Sequence, residues 1–460
     1  MSGALLTRET KPAAPSARAR RLGLAGICFG FLMITIDTTA VNVALGPIVA
    51  DLGGSLAAAQ WIVSSYTLVF ATFLLSGGAW ADRIGSRAAF LIGLGVFGVA
   101  SAGCAAAPSM EALIAARAAQ GLGAALLMPC SLALIIHIFP AGPERRGALA
   151  AWGGISGIGL SAGPVLGGAL VDWVGWRFIF LINLPVAVLA GLAISAYVTE
   201  TTRHRHPFDL PGQVLVVLAL GCLSGGFILA GELGWTAAGT IALLVAGVAA
   251  ALALARVERL VPLPMIPPAL LRNLKFRRLV VVSGLYNFGF YGTLFCLSLY
   301  LHERLGLSPL DTGLALLPMN LVIGVIALSA ARLIAWLGEW PAVMIGIGFG
   351  AGGAALMAIF GDAGVTATIL LSIPFAGIAL TMQAMTALAM EDVPRERIGL
   401  ASGVQNAARQ AGGALGVALL GTLLAAGTGL SLQLPMAVVS AGYLASMWLA
   451  LAGRRHATPR

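Results

Sequence analysis

The sequence predicts an all-helical protein that crosses a membrane fourteen times, and three observations lead to this fold class. Of the 460 residues, 59% are hydrophobic and only 10% are charged, whereas a soluble globular chain is about 25% charged. Apolar runs long enough to cross a bilayer recur along the whole chain, separated by short polar breaks. The Lys and Arg residues are concentrated in alternate breaks, as topology requires of a polytopic membrane protein.

Each apolar run has the length of a membrane-spanning helix. The runs lie at residues 22–45, 56–77, 88–107, 112–136, 147–171, 177–198, 211–231, 236–256, 277–301, 313–335, 341–361, 365–389, 403–426 and 432–452. The longer breaks group them as six helices, a pair and six more. This grouping predicts an N-terminal six-helix bundle over residues 1–198, a linker with two inserted helices over 199–275, and a C-terminal six-helix bundle over 276–460. Within the linker, the amphipathic stretch 269–275 is expected to lie along the cytoplasmic interface.

The basic residues also orient the chain. If the N-terminus is cytoplasmic, the outer connections hold only Arg177 and Arg304, and the remaining loop Lys and Arg residues fall on the cytoplasmic side. Because Lys and Arg are enriched in cytoplasmic loops, both termini are expected in the cytoplasm. This agrees with an even number of helices and predicts a multi-pass protein of the cell membrane.

Composition and spacing argue against several other classes. The basic residues are scattered among short loops, so the net charge of +9 does not indicate nucleic-acid binding. The five cysteines all lie in apolar runs without a Cys-x-x-Cys pair, which favours free buried thiols. The stretch His204-Arg205-His206 is interpreted as an exposed basic loop, not a metal site. With no catalytic dyad or metal cluster in the pattern, we expect neither an enzyme nor a cofactor.

Two charged residues of the predicted N-terminal bundle lie at membrane depth. Asp37 falls well inside the first apolar run, and Arg117 lies inside the fourth, on the same helix face as Gln120. A carboxylate or guanidinium at that depth is costly unless it is paired or faces water. We therefore expect Asp37 and Arg117 to take part in proton coupling. The alternative for Asp37 is a carboxylate that only hydrogen-bonds a neighbouring helix.

The break between the second and third helices has its own pattern. It reads Gly78-Ala79-Trp80-Ala81-Asp82-Arg83-Ile84-Gly85-Ser86-Arg87. Arg83 and Arg87 are expected to pair with acidic groups of the other bundle and to latch the cytoplasmic side closed in one state; the alternative is an ordinary basic loop. The segment resembles the signature loop of the major facilitator superfamily. Asp82, Arg83 and Gly85 match the core of that loop, and Ser86 stands where a basic residue is frequent.

The fifth helix is rich in glycine around Pro164. Gly159, Gly163 and Gly167 recur every four residues and make a smooth face for a neighbouring helix, while Pro164 kinks or loosens the helix. Together with Gly168, these residues resemble the motif that marks proton-coupled antiporters within the same superfamily. Helix packing alone is the other interpretation.

The resemblance extends over most of the chain. Residues 36–48, 176–185 and 399–416 are similar to segments of the 14-helix drug:proton antiporter-2 group. Residues 114–125 resemble the superfamily's fourth-helix motif, whose Arg, here Arg117, is associated with proton transfer. The resemblance implies a major facilitator fold and proton-coupled export of lipophilic or cationic small molecules by alternating access. It also implies a monomer that uses the proton gradient and no cofactor.

We expect Asp37 and Arg117 to line a shared cavity between the bundles. Further polar residues expected to face this cavity are Asn42, Gln60, Tyr66, Gln120, Asn287, Tyr291, Asn320, Gln405 and Arg409. Deprotonated Asp37 would stabilise a cationic or polar substrate, and its protonation from the outer side would favour release. Two alternatives remain open. One is a facilitator, symporter or exporter for a specific metabolite or anionic natural product, which Arg117 and Arg409 would suit. The other is a membrane enzyme or receptor on this fold.

Overall fold

The computed structural model describes residues 16–203, 209–261, 264–266, 268–394, 397–426 and 430–454. Among these residues, fourteen helices are long and apolar enough to cross a membrane, and no strand occurs. The helices, named α1 to α14 in order, are Ala17–Leu52, Leu56–Ile84, Ser86–Ala105, Met110–Ile138, Pro143–Val174, Phe178–Tyr197, Leu210–Leu233, Ala238–Val257, Leu274–Arg304, Pro309–Leu337, Glu339–Phe360, Val365–Met390, Ile398–Leu424 and Gln433–Arg454. The predicted all-helical fold class and number of spans are confirmed.

The first helix begins earlier than its apolar run. Ser16 caps it, because its Oγ accepts a hydrogen bond of 3.2 Å from the backbone N–H of Ala19. The basic first turns are held in place by an ion pair of 2.9 Å between Arg20 and Glu144 of α5. Hydropathy alone does not detect a polar helical start of this kind. The predicted linker is followed by α9. This helix begins at Leu274, inside the stretch 269–275 that was predicted to lie along the interface.

The helices form two groups, and each group has its own set of helix–helix contacts. In the N-terminal half, α1 packs against α5, α6 and α4, and α4 packs against α2 and α3. In the C-terminal half, α9 packs against α13 and α14, and α11 packs against α12 and α14. The two halves meet along α2 with α13 and along α5 with α10. The predicted domain boundaries themselves stay predictions.

The inserted pair, α7 and α8, sits beside one of these two seams. α7 contacts both α2 and α13, and α8 packs on the outside of α7. Gln213 of α7 donates a 3.1 Å hydrogen bond to the carbonyl of Thr72 in α2, and Thr422 in α13 donates one of 2.8 Å to the carbonyl of Phe227 in α7. α7 therefore closes the seam between α2 and α13 toward the surrounding lipid.

Candidate functional site

A cavity of about 1150 Å³ lies between the two halves. Its mouth is formed at the helix ends that border the basic loops, by Gly78 and Asp82 of α2 and by Arg397 at the start of α13. Its inner walls come from α1, α4, α5, α9, α10, α12 and α13. Since the arginine distribution places these loops in the cytoplasm, the structure represents a cytoplasm-facing state.

The outer side of the molecule is closed by direct contacts between the halves. The side-chain amide of Gln60 in α2 donates a 2.8 Å hydrogen bond to the carbonyl of Ala418 in α13. At the other seam, the carboxylate of Asp172 in α5 accepts a 3.0 Å hydrogen bond from the backbone N–H of Leu310 in α10. Both seams are therefore sealed on the side opposite the cavity mouth.

One face of the glycine motif in α5 packs against α1. At Gly167, an added Cβ would lie 2.8 Å from the carbonyl oxygen of Ala40, and at Gly163 it would lie 3.1 Å from that of Ile36. At Gly159, an added Cβ would collide with the Thr35 hydroxyl. The close approach of the two backbones therefore requires glycine at these positions.

Gly168 and Pro164 lie on another face of α5, against the C-terminal half. An added Cβ at Gly168 would collide with the carbonyl oxygen of Pro309 and lie 2.8 Å from the Cα of Leu310. The carbonyl of Pro164 in turn leaves no room for a side chain at Gly313 of α10. The glycine motif thus joins α1 on one side and the opposite half on the other.

Asp37 and Arg117 form an ion pair inside the N-terminal half. Arg117 Nη1 donates to Asp37 Oδ2 at 2.5 Å. The other carboxylate oxygen accepts hydrogen bonds from the side-chain amides of Asn183 in α6, at 2.9 Å, and Gln120 in α4, at 3.3 Å. The side chains of Asp37 and Arg117 are 0% and 1% exposed. Each carboxylate oxygen therefore has a donor.

Further donors of this cluster also have acceptors within the N-terminal half. Arg117 Nε donates to the carbonyl of Ile62 at 3.2 Å, and its guanidinium lies 4.3 Å from the centre of the Tyr66 ring. Ser101 Oγ accepts hydrogen bonds from Gln120 at 2.7 Å and from Asn183 at 3.3 Å. Neither Ser101 nor Asn183 was predicted from the sequence to belong to a site. An Asn six residues inside the apolar run 177–198, two residues before a proline, was the available signal.

Asp37 and Arg117 do not line the cavity, so the expectation that they share its wall is wrong for this state. The cavity wall contains neither residue. Both are enclosed by side chains of α2, α3, α4 and α6. The physical reason is that the two charges neutralise each other and the neighbouring amides supply the remaining hydrogen bonds, so neither group needs water.

The other predicted cavity residues divide into two sets. Asn287, Tyr291 and Arg409 line the cavity. The remaining residues are buried and do not line it, so for them the prediction is wrong for this state: Asn42, Gln60, Tyr66, Gln120, Asn320 and Gln405. The amide N–H of a polar side chain in a membrane helix can donate to a nearby carbonyl or hydroxyl oxygen instead of facing a cavity. Asn42 donates to the carbonyl of Thr38 at 3.1 Å, and Gln405 donates to the hydroxyl of Ser283 at 3.1 Å.

Arg87, one of the predicted latch residues, contacts its own half in this structure. Glu200, after α6, accepts hydrogen bonds from the backbone N–H groups of Arg87 at 2.9 Å and Ala88 at 3.0 Å. An acidic group at the start of α3 is favoured by the helix dipole. Within the described parts of the chain, no ion pair joins Arg83 or Arg87 to the C-terminal half. Pairing across the halves therefore stays a prediction for a state whose cytoplasmic side is closed.

No group of three or more His, Cys, Asp or Glu residues suitable for a metal ion occurs among the residues that the structure describes. The stretch 204–206 lies outside these residues. The five cysteines are free thiols, and all except Cys222 are buried.

The sequence profile of the Major Facilitator Superfamily matches residues 27–417. The chain belongs to this superfamily. The multidrug resistance protein Stp of Mycobacterium tuberculosis is 35% identical over 412 residues, which cover 89% of this chain and 76% of Stp. A methylenomycin A resistance protein of Streptomyces coelicolor is 35% identical over 404 residues, which cover 87% of this chain and 85% of the relative.

A solved structure supports the fold independently. The crystal structure of the peptide transporter POT in complex with sulfate superimposes with a TM-score of 0.70 at 16% identity, over 94% of each chain. At this identity the likeness concerns the fold alone. Family membership and the fourteen apolar helices make the protein a multi-pass transporter of the cell membrane and not an enzyme.

Proposed function

We propose that the protein is a proton-coupled antiporter that exports lipophilic small molecules by alternating access. The observation that carries the proposal is a carboxylate paired with a guanidinium at membrane depth, next to but separate from a large cavity that faces the cytoplasm. Intramembrane ionisable residues mark proton and ion pathways. Relatives named for resistance to drugs and antibiotics support export as the direction of transport.

The cavity wall suits flat apolar molecules. On the N-terminal side, the rings of Phe31 and Trp152 are stacked, with centroids 4.4 Å apart. On the C-terminal side, Phe290 and Tyr291 pack edge to face at 5.4 Å. Aromatic and aliphatic walls with few polar groups are typical of sites for drug-sized ligands.

The packing of α1 offers a way to couple protonation of Asp37 to movement of the two halves. Protonation of Asp37 would remove its negative charge and weaken the pair with Arg117. Ala40, less than one turn further along α1, lies against Gly167, and the next residue, Gly168, meets the opposite half. A shift of α1 would therefore also move α5 where it contacts α10. This α5–α10 seam has to open when the outer side of the protein opens. Rocking of two rigid bundles about a central site is the general mode of such transporters.

Transport by everted membrane vesicles tests this function. In these vesicles, respiration acidifies the lumen, and an antiporter would accumulate the neutral dye N-phenyl-1-naphthylamine inside. We expect uptake that the protonophore CCCP, which collapses the whole proton-motive force, abolishes. Uptake that persists after CCCP would favour a facilitator, and uptake no greater than in vesicles without the protein would contradict export of lipophilic molecules.

A further inference from the structure

Arg409 is the cation in the depth of the cavity. It lies eleven residues after the start of α13, about 16 Å along the helix axis at 1.5 Å per residue. This is near the bilayer midplane, where transporters of this architecture bind substrate. The acidic residues of the described cavity wall, Asp82 and Asp209, lie at its mouth, at the ends of α2 and α7. The deep part of the wall is therefore electrostatically positive.

The guanidinium of Arg409 has only neutral partners among the described residues. Nη1 donates to the side-chain oxygen of Asn406 at 3.2 Å, and Nη2 points to the sulfur of Met382 at 3.4 Å, a weak acceptor. Nε is buried and has no protein partner there. Arg117 offers a contrast, because its charge is matched by a carboxylate at 2.5 Å. Among the described residues Arg409 has no such counter-charge, so an anionic ligand would supply one.

The residues around Arg409 indicate the chemical character of the rest of the ligand. The ring of Tyr291 packs against Gly413, one helical turn after Arg409, where an added Cβ would lie 2.8 Å from the ring. On the opposite wall, the indole N–H of Trp152 is buried without a protein acceptor in the described structure, and its ring stacks on Phe31. Both walls thus offer an aromatic surface together with an unused N–H donor.

We propose that Arg409 is the anion-binding residue of the cavity and that the preferred substrates are aromatic molecules bearing a carboxylate. The carboxylate accepts hydrogen bonds from Arg409, and the aromatic body lies between the Phe31–Trp152 pair and Tyr291. This substrate class rests on the proposed export function for its direction of transport. It differs from the cationic class that the sequence predicts, since the deep cavity wall presents a guanidinium and no carboxylate.

Binding of three probes that share one ring system tests this proposal. The probes are 1-pyrenebutyrate, 1-pyrenebutanol and 1-pyrenemethylamine. Binding is measured by energy transfer from protein tryptophans to pyrene, in nanodiscs of zwitterionic lipid, with empty nanodiscs subtracted. We expect the wild type to bind the butyrate at least about tenfold more tightly than the alcohol, the usual effect of a hydrogen bond to a charged group. Equal or weaker binding of the butyrate would overturn the proposal.

Substitutions assign the preference to one side chain. Arg409→Gln is expected to bind the butyrate and the alcohol equally, and Arg409→Lys to keep a preference for the butyrate. The control is Arg332→Gln, which removes an exposed cation at the end of α10 and is expected to behave as the wild type. Should Arg409→Gln not fold, Arg409→His decides. It should prefer the butyrate at about pH 5.5 and lose that preference at about pH 8, as the imidazole loses its proton. A preference that survives Arg409→Gln, or that is independent of pH in Arg409→His, would contradict the assignment.

These measurements need no proton gradient. Failure of gradient-driven dye uptake would therefore overturn the antiport function and leave the anion site standing. Conversely, a wild-type protein that drives dye uptake but does not prefer the pyrene carboxylate would overturn the anion site alone.

Discussion

Replacing Asp37 by Asn leaves the guanidinium of Arg117 buried without a counter-charge. Removing one partner of a buried ion pair costs about 3–5 kcal/mol. The new side chain also carries an NH₂ group where a carboxylate oxygen now accepts from Arg117 at 2.5 Å or from Asn183 at 2.9 Å. Two donors then face each other, and the lost hydrogen bond adds about 1–3 kcal/mol. We therefore expect Asp37→Asn to lower the free energy of unfolding by roughly 4 kcal/mol or more.

The double substitution Asp37→Asn with Arg117→Gln separates charge from packing. Both buried charges are then absent, and the amide of the Gln can take over the hydrogen bond of Arg117 Nε to the carbonyl of Ile62. Neutral replacement of a whole buried pair is often free of cost, so we expect the double variant to recover most of the stability that the single variant loses. The measurement is unfolding by SDS in mixed micelles, followed by tryptophan fluorescence.

Two results would refute this reasoning. A double variant as unstable as Asp37→Asn would mean that shape, and not charge, holds the cluster together. A single variant as stable as the wild type would mean that Asp37 and Arg117 are not a charged pair in the folded protein. If the reasoning holds, the double variant is a folded protein in which the contribution of Asp37 to transport can be measured.

Two further predictions concern the outer seam and the linker. Gly168→Ala should weaken outer closure, because its Cβ would meet the carbonyl of Pro309. The reporter is Ala418→Cys in a background without native cysteines, labelled from outside by an impermeant maleimide. An overpacking cost of about 1 kcal/mol or more should raise the labelling rate about fivefold. Gly147→Ala, which has open space around it, is the control, and equal labelling rates would contradict the packing argument. In the linker, burial raises the pKa of Glu258 to about 6, and neighbouring Asp209 adds to the shift. The folded state therefore holds this proton more tightly than the unfolded state, and the free energy of unfolding should fall by up to about 2 kcal/mol as the pH rises from about 4.5 to above 6. Glu258→Gln should accordingly melt at a higher temperature than the wild type at pH 7.5 and at the same temperature near pH 4.5; a variant less stable at pH 7.5 would contradict the sign.

The residues at membrane depth were predictable one by one, but their arrangement was not. Charges such as Asp37 and Arg117 are conspicuous in apolar runs because hydrocarbon penalises them. Whether such a charge faces water or a partner depends on side chains far away in sequence, and here Asn183 completes the pairing. Both members of the pair could therefore be identified from the sequence, but their predicted position in the cavity wall was wrong for this state.

The positions of the helices along the sequence were predicted more reliably than the contacts between helices. Length and hydropathy define a span, so all fourteen spans could be read from the sequence. Lipid-facing and helix-facing residues are both apolar, however, and hydropathy does not distinguish them. The position of α7 between α2 and α13 therefore required the structure, as did the contact of Gly168 with the opposite half.

The central claim, that proton exchange at Asp37 drives export, is tested most directly by counting protons. Purified protein is reconstituted into liposomes that contain the pH indicator pyranine, and export of N-phenyl-1-naphthylamine is started by dilution. We predict that dye movement through the wild type is accompanied by proton movement in the opposite direction, and that the double variant at Asp37 and Arg117 moves dye without protons. Equal proton movement through the double variant would contradict the account.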